Sequence, residues 1–265
     1  MLARVTLFYV ATFLASGAWL AVQDHTSVSP DLISFVQFAP ATGVLVLLIV
    51  LGGRLRLAVS LRQPRRVALA CLLTLLAAAL AALVAAACSL VVGHDLHGAW
   101  DDGLPFPLWA HVAALTIGSV SEELGWRAWL QPTLESRLSV LSSSLVVGVL
   151  FGLWHIGAWA AGPTYVALFV VMATALSVVV GEIIRHAPGA NLVVATVLHT
   201  AANLAMLAVL DEEDGSLAAI GCLAVGWVLT AAVTLAVGQA LRPGAVTRSR
   251  RDTVVGRSVS QVSLG

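Results

Sequence analysis

Lysine is absent from this sequence: all 14 basic residues among its 265 are arginine, a bias read as codon usage rather than function. Charge of either sign is scarce too, at 11% of residues, where an average soluble domain has about 25%. With 59% of its residues hydrophobic, a soluble fold could not cover its own surface with polar side chains, so that class is excluded. The 14 acidic residues balance the arginines, and no global field recruits nucleic acid or an acidic partner. Cysteine occurs three times, as Cys71, Cys88 and Cys222, scattered through apolar runs. That usage fits neither a disulfide framework nor a metal-knuckle spacing, and the three read as small buried hydrophobes. Internal repeats and a soluble domain are also missing.

Long apolar runs are present instead. About 20 apolar residues cross a bilayer's hydrocarbon core, and seven stretches qualify: 5–22, 32–51, 67–92, 138–160, 165–184, 190–210 and 217–241. An eighth, 108–130, carries Glu122, Glu123 and Arg127 and is counted because the loops demand it. Asp24 and Asp31 lie in the first loop without arginine, while the next holds Arg54, Arg56, Arg62, Arg65 and Arg66. Asp95, Asp101 and Asp102 follow, then Arg137, a neutral turn at Gly162-Pro163, Arg185, the acidic stretch 211–214, and Arg242, Arg248, Arg250, Arg251 and Arg257. With eight spans, every arginine except Arg127 falls on one side. By the positive-inside rule that side is the cytoplasm. The expectation is therefore an all-α integral membrane protein, a bundle of about eight transmembrane helices with both termini cytoplasmic. Residues 1–241 form one polytopic membrane domain, and 242–265 an Arg/Ser-rich tail expected to be disordered. The first run is long and lacks a clear A-x-A site, so it reads as a retained span rather than a signal peptide. The arginine-rich loop 54–66 reads as a partner of anionic lipid headgroups.

Ionisable groups inside spans are the informative exceptions, because each needs a partner or a wet cavity. Glu123 and Arg127 stand four apart with Glu on the N-terminal side, the favoured ion-pair geometry. Glu122 points about 100° away and has no such partner on its own helix. His155 ends the run Phe151-Gly152-Leu153-Trp154, and His199 shares a helical face with Asn203. Ser144, Gly148 and Gly152 recur every fourth residue, which permits close backbone approach on the side that carries His155. His94, His97 and His111 lie in or near an acidic loop, where a solvated or interfacial role is the default. Trp126 and Trp154 flank the charged cluster and read as core. Two histidines, an asparagine and an unpaired glutamate on three different spans point to a functional cluster.

The ordered set Glu122-Glu123-x-x-x-Arg127, Phe151-x-x-x-His155 and His199-x-x-x-Asn203, on successive apolar segments, resembles the three motifs of the CAAX-protease and bacteriocin-processing (CPBP) family. These intramembrane endopeptidases include the Ras-converting CAAX endopeptidase, and the similarity covers roughly 108–210. The resemblance implies that Glu122, assisted by His155, activates a water for attack on a peptide carbonyl. It further implies that His199 and Asn203 stabilise the oxyanion, while Glu123, Arg127 and Phe151 support the site. No cofactor is implied. Zinc held by Glu122, His155 and His199 remains an alternative, although the H-E-x-x-H arrangement is lacking. A non-catalytic immunity or scaffold protein, or a transporter, is the other. The implied partners are membrane lipids and a peptide or membrane-protein substrate, with no nucleic acid. The implied setting is a bacterial plasma membrane, with water and substrate arriving from the cytoplasmic half. Counting 1.5 Å per residue from the cytoplasmic ends puts Glu122 and His199 roughly 12–14 Å deep but His155 about 25 Å. The cluster needs that gap closed.

Overall fold

A computed structural model describes residues 1–52, 55–96, 103–210 and 215–241. The described residues form helix after helix: α1 (Leu2–Gln23), α2 (Ala39–Val50), α3 (Pro64–Val92), α4 (Leu108–Gly125), α5 (Gln131–Glu135), α6 (Val140–Trp154), α7 (Pro163–Ile184), α8 (Asn191–Val209) and α9 (Leu217–Ala240). Since α5 only continues α4, eight helical segments stand where eight spans are expected. Arg54, His97, Trp100, Asp101, Asp102, the stretch 211–214 and the tail 242–265 lie outside the described residues.

Five helices are long and apolar enough to cross a membrane, by length and composition: Leu2–Gln23, Pro64–Val92, Pro163–Ile184, Asn191–Ala208 and Leu217–Ala240. Two shorter apolar helical stretches, Phe35–Val50 and Val140–Trp154, accompany them. A helix satisfies all its backbone polar groups internally, which hydrocarbon requires. The distribution of side chains agrees with that solvent. Helix α3 buries Ala70, Ala77, Ala78, Ala81 and Ala85 while exposing Leu69, Leu72, Leu76, Leu83 and Val91. Small residues inside and large apolar ones outside is the pattern of helices packed in lipid, where close backbone approach drives association. The chain is an all-helical integral membrane protein.

The two ends of the bundle are distinguishable. At one, His94 Nε2 meets Ser216 Oγ at 3.2 Å, joining the α3–α4 and α8–α9 connections. At the other, the α2–α3 connection runs extended and pairs with two further segments. Ala58 N–H donates to Ala128 O at 2.9 Å, Ser60 N–H to Gly189 O at 2.7 Å, and Leu192 N–H to Ala58 O at 3.1 Å. Arg56, Arg62, Arg65, Arg66 and Arg185 flank these segments, so this is the arginine end.

Why that docking occurs can be read from the backbone. After α4 the helix widens into a π turn, Trp126–Leu130, in which Gln131 N–H reaches back to Trp126 O. Pro132 then brings no N–H at all. The carbonyls of Arg127 and Ala128 are left over, and buried carbonyls need donors. Asn191 Nδ2 supplies one to Arg127 O at 3.0 Å, and Ala58 N–H supplies the other.

Helix α6 packs hardest against α7. A Cβ added at Gly148 would lie 2.5 Å from Thr174 Cα, and one at Gly152 would lie 2.8 Å from Val170 Cα. Ser177 Oγ donates to Ser144 O at 2.8 Å along the same seam. Gly148→Val is therefore expected to cost more than the about 1–3 kcal/mol typical of overpacking, because backbone rather than a movable side chain blocks it. Folded yield and melting temperature in detergent check this; a variant with wild-type values would mean that the helices can part.

Three boundaries differ from the sequence reading. The second segment begins its α-helix at Ala39, since Phe35–Phe38 forms a 3-10 turn and Pro40 opens the helix. The fourth runs on to Glu135 rather than stopping at 130, because the π turn carries it through the charged stretch. The fifth stops at Trp154 rather than 160: His155 Nδ1 takes Phe151 O at 2.9 Å, and His155 N–H turns to Gly152 O instead. The ring supplants the backbone donor of the next helical turn, and a 3-10 turn, Ile156–Ala161, follows.

Candidate functional site

Those boundary shifts bring Glu122 and His155 to one level. Counted from Glu135, Glu122 lies about 20 Å up its helix, and His155 lies about 22 Å from Val140. For this pair the depth mismatch came from ending the fourth segment too early; His199 lies only about 12 Å along α8, but that helix starts beside Arg127, to which Asn191 donates, and so His199 still meets Glu123. His155, Glu122, His199, Asn203 and Phe151 all line a single cavity of about 490 Å³.

Glu122 is 2% exposed, and its side chain is hydrogen-bonded by Gln37. Its Oε2 is buried with no partner among the described residues. Gln37 reaches it from the turn before α2, packed over Gly118 so closely that a Cβ there would strike the amide. Sequence reasoning missed Gln37, although it is the sole amide in the run 32–51.

Glu123 faces the other way and is shared. Arg127 Nη1 donates to its Oε1 at 3.0 Å, with both side chains almost wholly buried, as the spacing of four leads one to expect. His199 Nδ1 meets the same Oε1 at 2.8 Å from α8. With Nδ1–H donating to that carboxylate, Nε2 is the ring nitrogen left to the cavity that His199 lines. His155 is oriented by its own backbone instead. Nδ1–H donates to Phe151 O, so the neutral ring presents the lone pair of Nε2. Asn203 is partly buried, one turn above His199 on the same face.

Phe151 ties these groups together. Its ring centroid is 4.5 Å from that of His155 and 5.7 Å from that of His199, and Arg127 Cζ sits 4.9 Å over its face. A guanidinium over an aromatic face is attracted by the ring quadrupole, the more so when both are dry. Behind it, Trp126 meets Phe8 and Phe151 edge to face, with centroids 5.4 and 5.6 Å apart, and Trp154 at a tilt, 5.8 Å away. Trp126 and Trp154 are core residues, and Trp154 Nε1 donates to Ser16 Oγ at 2.9 Å.

His111 departs from its default reading. It is 5% exposed, its Nε2 has no partner among the described residues, and it lines the cavity beside Asp31, Leu104 and Pro105. The cavity thus extends toward the end of the bundle that holds Asp24, Asp31 and Asp95, not toward the arginine end from which access is expected. Among the described residues, no three His, Cys, Asp or Glu side chains converge as metal ligands. The arrangement pairs two proton acceptors, Glu122 and His155 Nε2, with two groups able to donate, His199 and Asn203.

Comparison with known proteins bears on this region. Residues 104–205 match the family described as type II CAAX prenyl endopeptidase Rce1-like. Across the longer chain, Lysostaphin resistance protein A of Staphylococcus aureus strain bovine RF122 / ET3-1 is 22% identical over 263 residues, covering 94% of this chain and 60% of that protein. The proteins of that name from strains Newman and USA300 are likewise 22% identical, with 94% and 59% covered. The chain spans about three fifths of the length of the curated relatives it matches.

Proposed function

We infer that this multi-pass membrane protein, Rce1-like across residues 104–205, is an intramembrane endopeptidase of the bacterial plasma membrane. The observation that carries this reading is a buried carboxylate oxygen, Glu122 Oε2, left without a partner in a cavity shared with His155, His199 and Asn203. An unsatisfied buried acceptor is costly; Glu123 Oε2 is unpartnered too, but only Glu122 of the two carboxylates lines the cavity.

In this mechanism a water held between Glu122 and His155 Nε2 gives up a proton as its oxygen attacks the peptide carbonyl. The carbonyl oxygen turns toward Nε2–H of His199, carried here as the imidazolium against the Glu123 carboxylate, and toward Asn203 Nδ2–H, which bear its developing negative charge. Preorganised donors set in low-dielectric walls are worth far more than in water. The leaving amine takes the transferred proton as the C–N bond breaks. Glu123 and Arg127 touch no reacting atom; they position His199.

The test is peptidomics of membranes from cells carrying the wild type and Glu122→Gln, in which a substrate appears as a fragment present only with the wild type. No differential fragment, together with an intact phenotype in Glu122→Gln cells, favours a second reading. The matched relatives are named for resistance and not for proteolysis, which supports a non-catalytic role for the same fold.

Zinc chemistry is tested separately. The shared Oε1 of Glu123 occupies His199 Nδ1, and cleavage is expected to persist after dialysis against a strong chelator with no stoichiometric metal copurifying. Activity lost to chelator and restored by zinc would establish the metalloprotease.

A further inference from the structure

We propose that the substrate reaches Glu122 from the face of the membrane opposite the arginines, the extracytoplasmic face, so that the enzyme cuts exported or membrane-anchored polypeptides there rather than cytosolic tails. For its chemistry this rests on the proteolytic reading above; its geometry does not.

Three observations converge. The first is the course of the cavity. From Glu122 it passes Leu115 and His111 on successive turns of α4 and reaches Leu104, Pro105 and Asp31. Leu104 and Pro105 belong to the α3–α4 connection and Asp31 to the α1–α2 connection. Leu210, at the outer end of α8, also lines it. The α3–α4 and α8–α9 connections are joined by His94 and Ser216, so these linings share one end of the bundle. His155 is the first residue beyond the shortened α6, and it lies open to the same end.

The second is closure at the other end. Arg127, Leu130 and Gln131 are wholly buried directly beyond Glu123 on the same helical path. Across them lies the extended α2–α3 connection, pinned by Ala58 to Ala128 and Leu192, and by Ser60 to Gly189. None of these residues lines the cavity. Main chain hydrogen-bonded on both sides makes a seal that cannot swing aside without stranding buried carbonyls.

The third is charge. Arg4, Arg56, Arg62, Arg65, Arg66, Arg137 and Arg185 all sit at the sealed end by chain position, and the open end carries Asp24, Asp31 and Asp95. Arginine bias over short loops sets orientation, so the sealed end is cytoplasmic and the open end is outside. The cavity itself has Asp31 and Glu122 but no arginine in its lining, and its walls include Phe169, Met172 and Leu176. Such a channel suits an uncharged or cationic segment with apolar side chains.

The test is cysteine accessibility in intact cells of the full-length chain. Cys71, Cys88 and Cys222 are replaced by alanine, or left in place with their labelling subtracted if the replacement lowers folded yield. Single cysteines go in at the mouth (Leu104→Cys), inside the cavity (Leu115→Cys) and at the sealed end (Arg56→Cys). The probe is a membrane-impermeant, cationic methanethiosulfonate. Because the bilayer excludes charge, Leu104→Cys and Leu115→Cys are expected to label in intact cells roughly tenfold or more faster than Arg56→Cys. Permeabilisation should bring Arg56→Cys level with them. If Leu104→Cys and Leu115→Cys label only after permeabilisation, the orientation is reversed and the proposal falls. If Leu104→Cys labels from outside but Leu115→Cys from neither side, the mouth does not lead to the site and the proposal falls equally. Cleavage is not the readout, so either failure leaves the peptidase reading to the Glu122→Gln comparison.

Discussion

Glu122→Gln is expected to abolish cleavage while leaving folded yield and melting temperature equal to the wild type or slightly higher. The carboxylate is 2% exposed, and among the described residues its Oε2 has no partner and no cation is bonded to it. Placing such a group in a low-dielectric interior is a burden on folding, and removing its charge relieves part of it. Gln37 can still bond the glutamine amide, so packing is preserved. Chemistry is a different matter. Loss of a general base alone removes about 10²–10⁴-fold of rate, and the amide can no longer take a proton from water. Cleavage of one reporter, with folded yield and thermal unfolding in detergent measured on the same preparation, decides it. Near wild-type turnover would remove Glu122 from the mechanism; a sharp loss of stability would make it a structural group.

Its neighbour should behave in the opposite manner. Glu123→Gln is expected to lower folded yield and activity together. Its Oε1 accepts from Arg127 at 3.0 Å and from His199 at 2.8 Å, so one substitution strands a wholly buried guanidinium and releases a site histidine. Breaking a buried pair by deleting one partner costs about 3–5 kcal/mol, a large share of a domain's stability. The double variant Glu123→Gln/Arg127→Met separates the two consequences. It leaves no uncompensated cation and is expected to regain folded yield, yet it stays inactive because His199 still lacks its carboxylate. If the double variant recovers activity as well, Glu123 serves folding alone and His199 needs no positioning. If Glu123→Gln is as stable as the wild type, the pair is not buried in the membrane as it is here.

The contrast between these two adjacent carboxylates was legible in the sequence only on one side. The spacing of four to Arg127 identified Glu123 as paired, since an i,i+4 contact is a local property of any helix. That the same oxygen also holds His199, 76 positions along the chain, was not legible. Gln37 was missed for the same reason: nothing local links it to Glu122. The two short-range devices that reshaped the spans had signals that went unread. Pro132 and the charged stretch before it marked the π turn, and a histidine at the end of an apolar run, followed by Gly157 and the Gly162-Pro163 turn, marked the early end of α6.

By itself the sequence determined the solvent, the number of helical segments and the end at which arginines gather. It could do so because hydrocarbon tolerates only internally bonded backbone, so apolar runs of sufficient length become helices whatever surrounds them. It also determined which residues are too polar to be there without cause. Tertiary structure decided the rest: that Glu122, His155, His199 and Asn203 share one cavity, which carboxylate orients His199, and toward which face that cavity opens. These depend on the rotation and offset of helices against one another, set by contacts such as Gly148 on Thr174 and Ala58 on Ala128. Such contacts join positions far apart in the chain, and no local pattern encodes them.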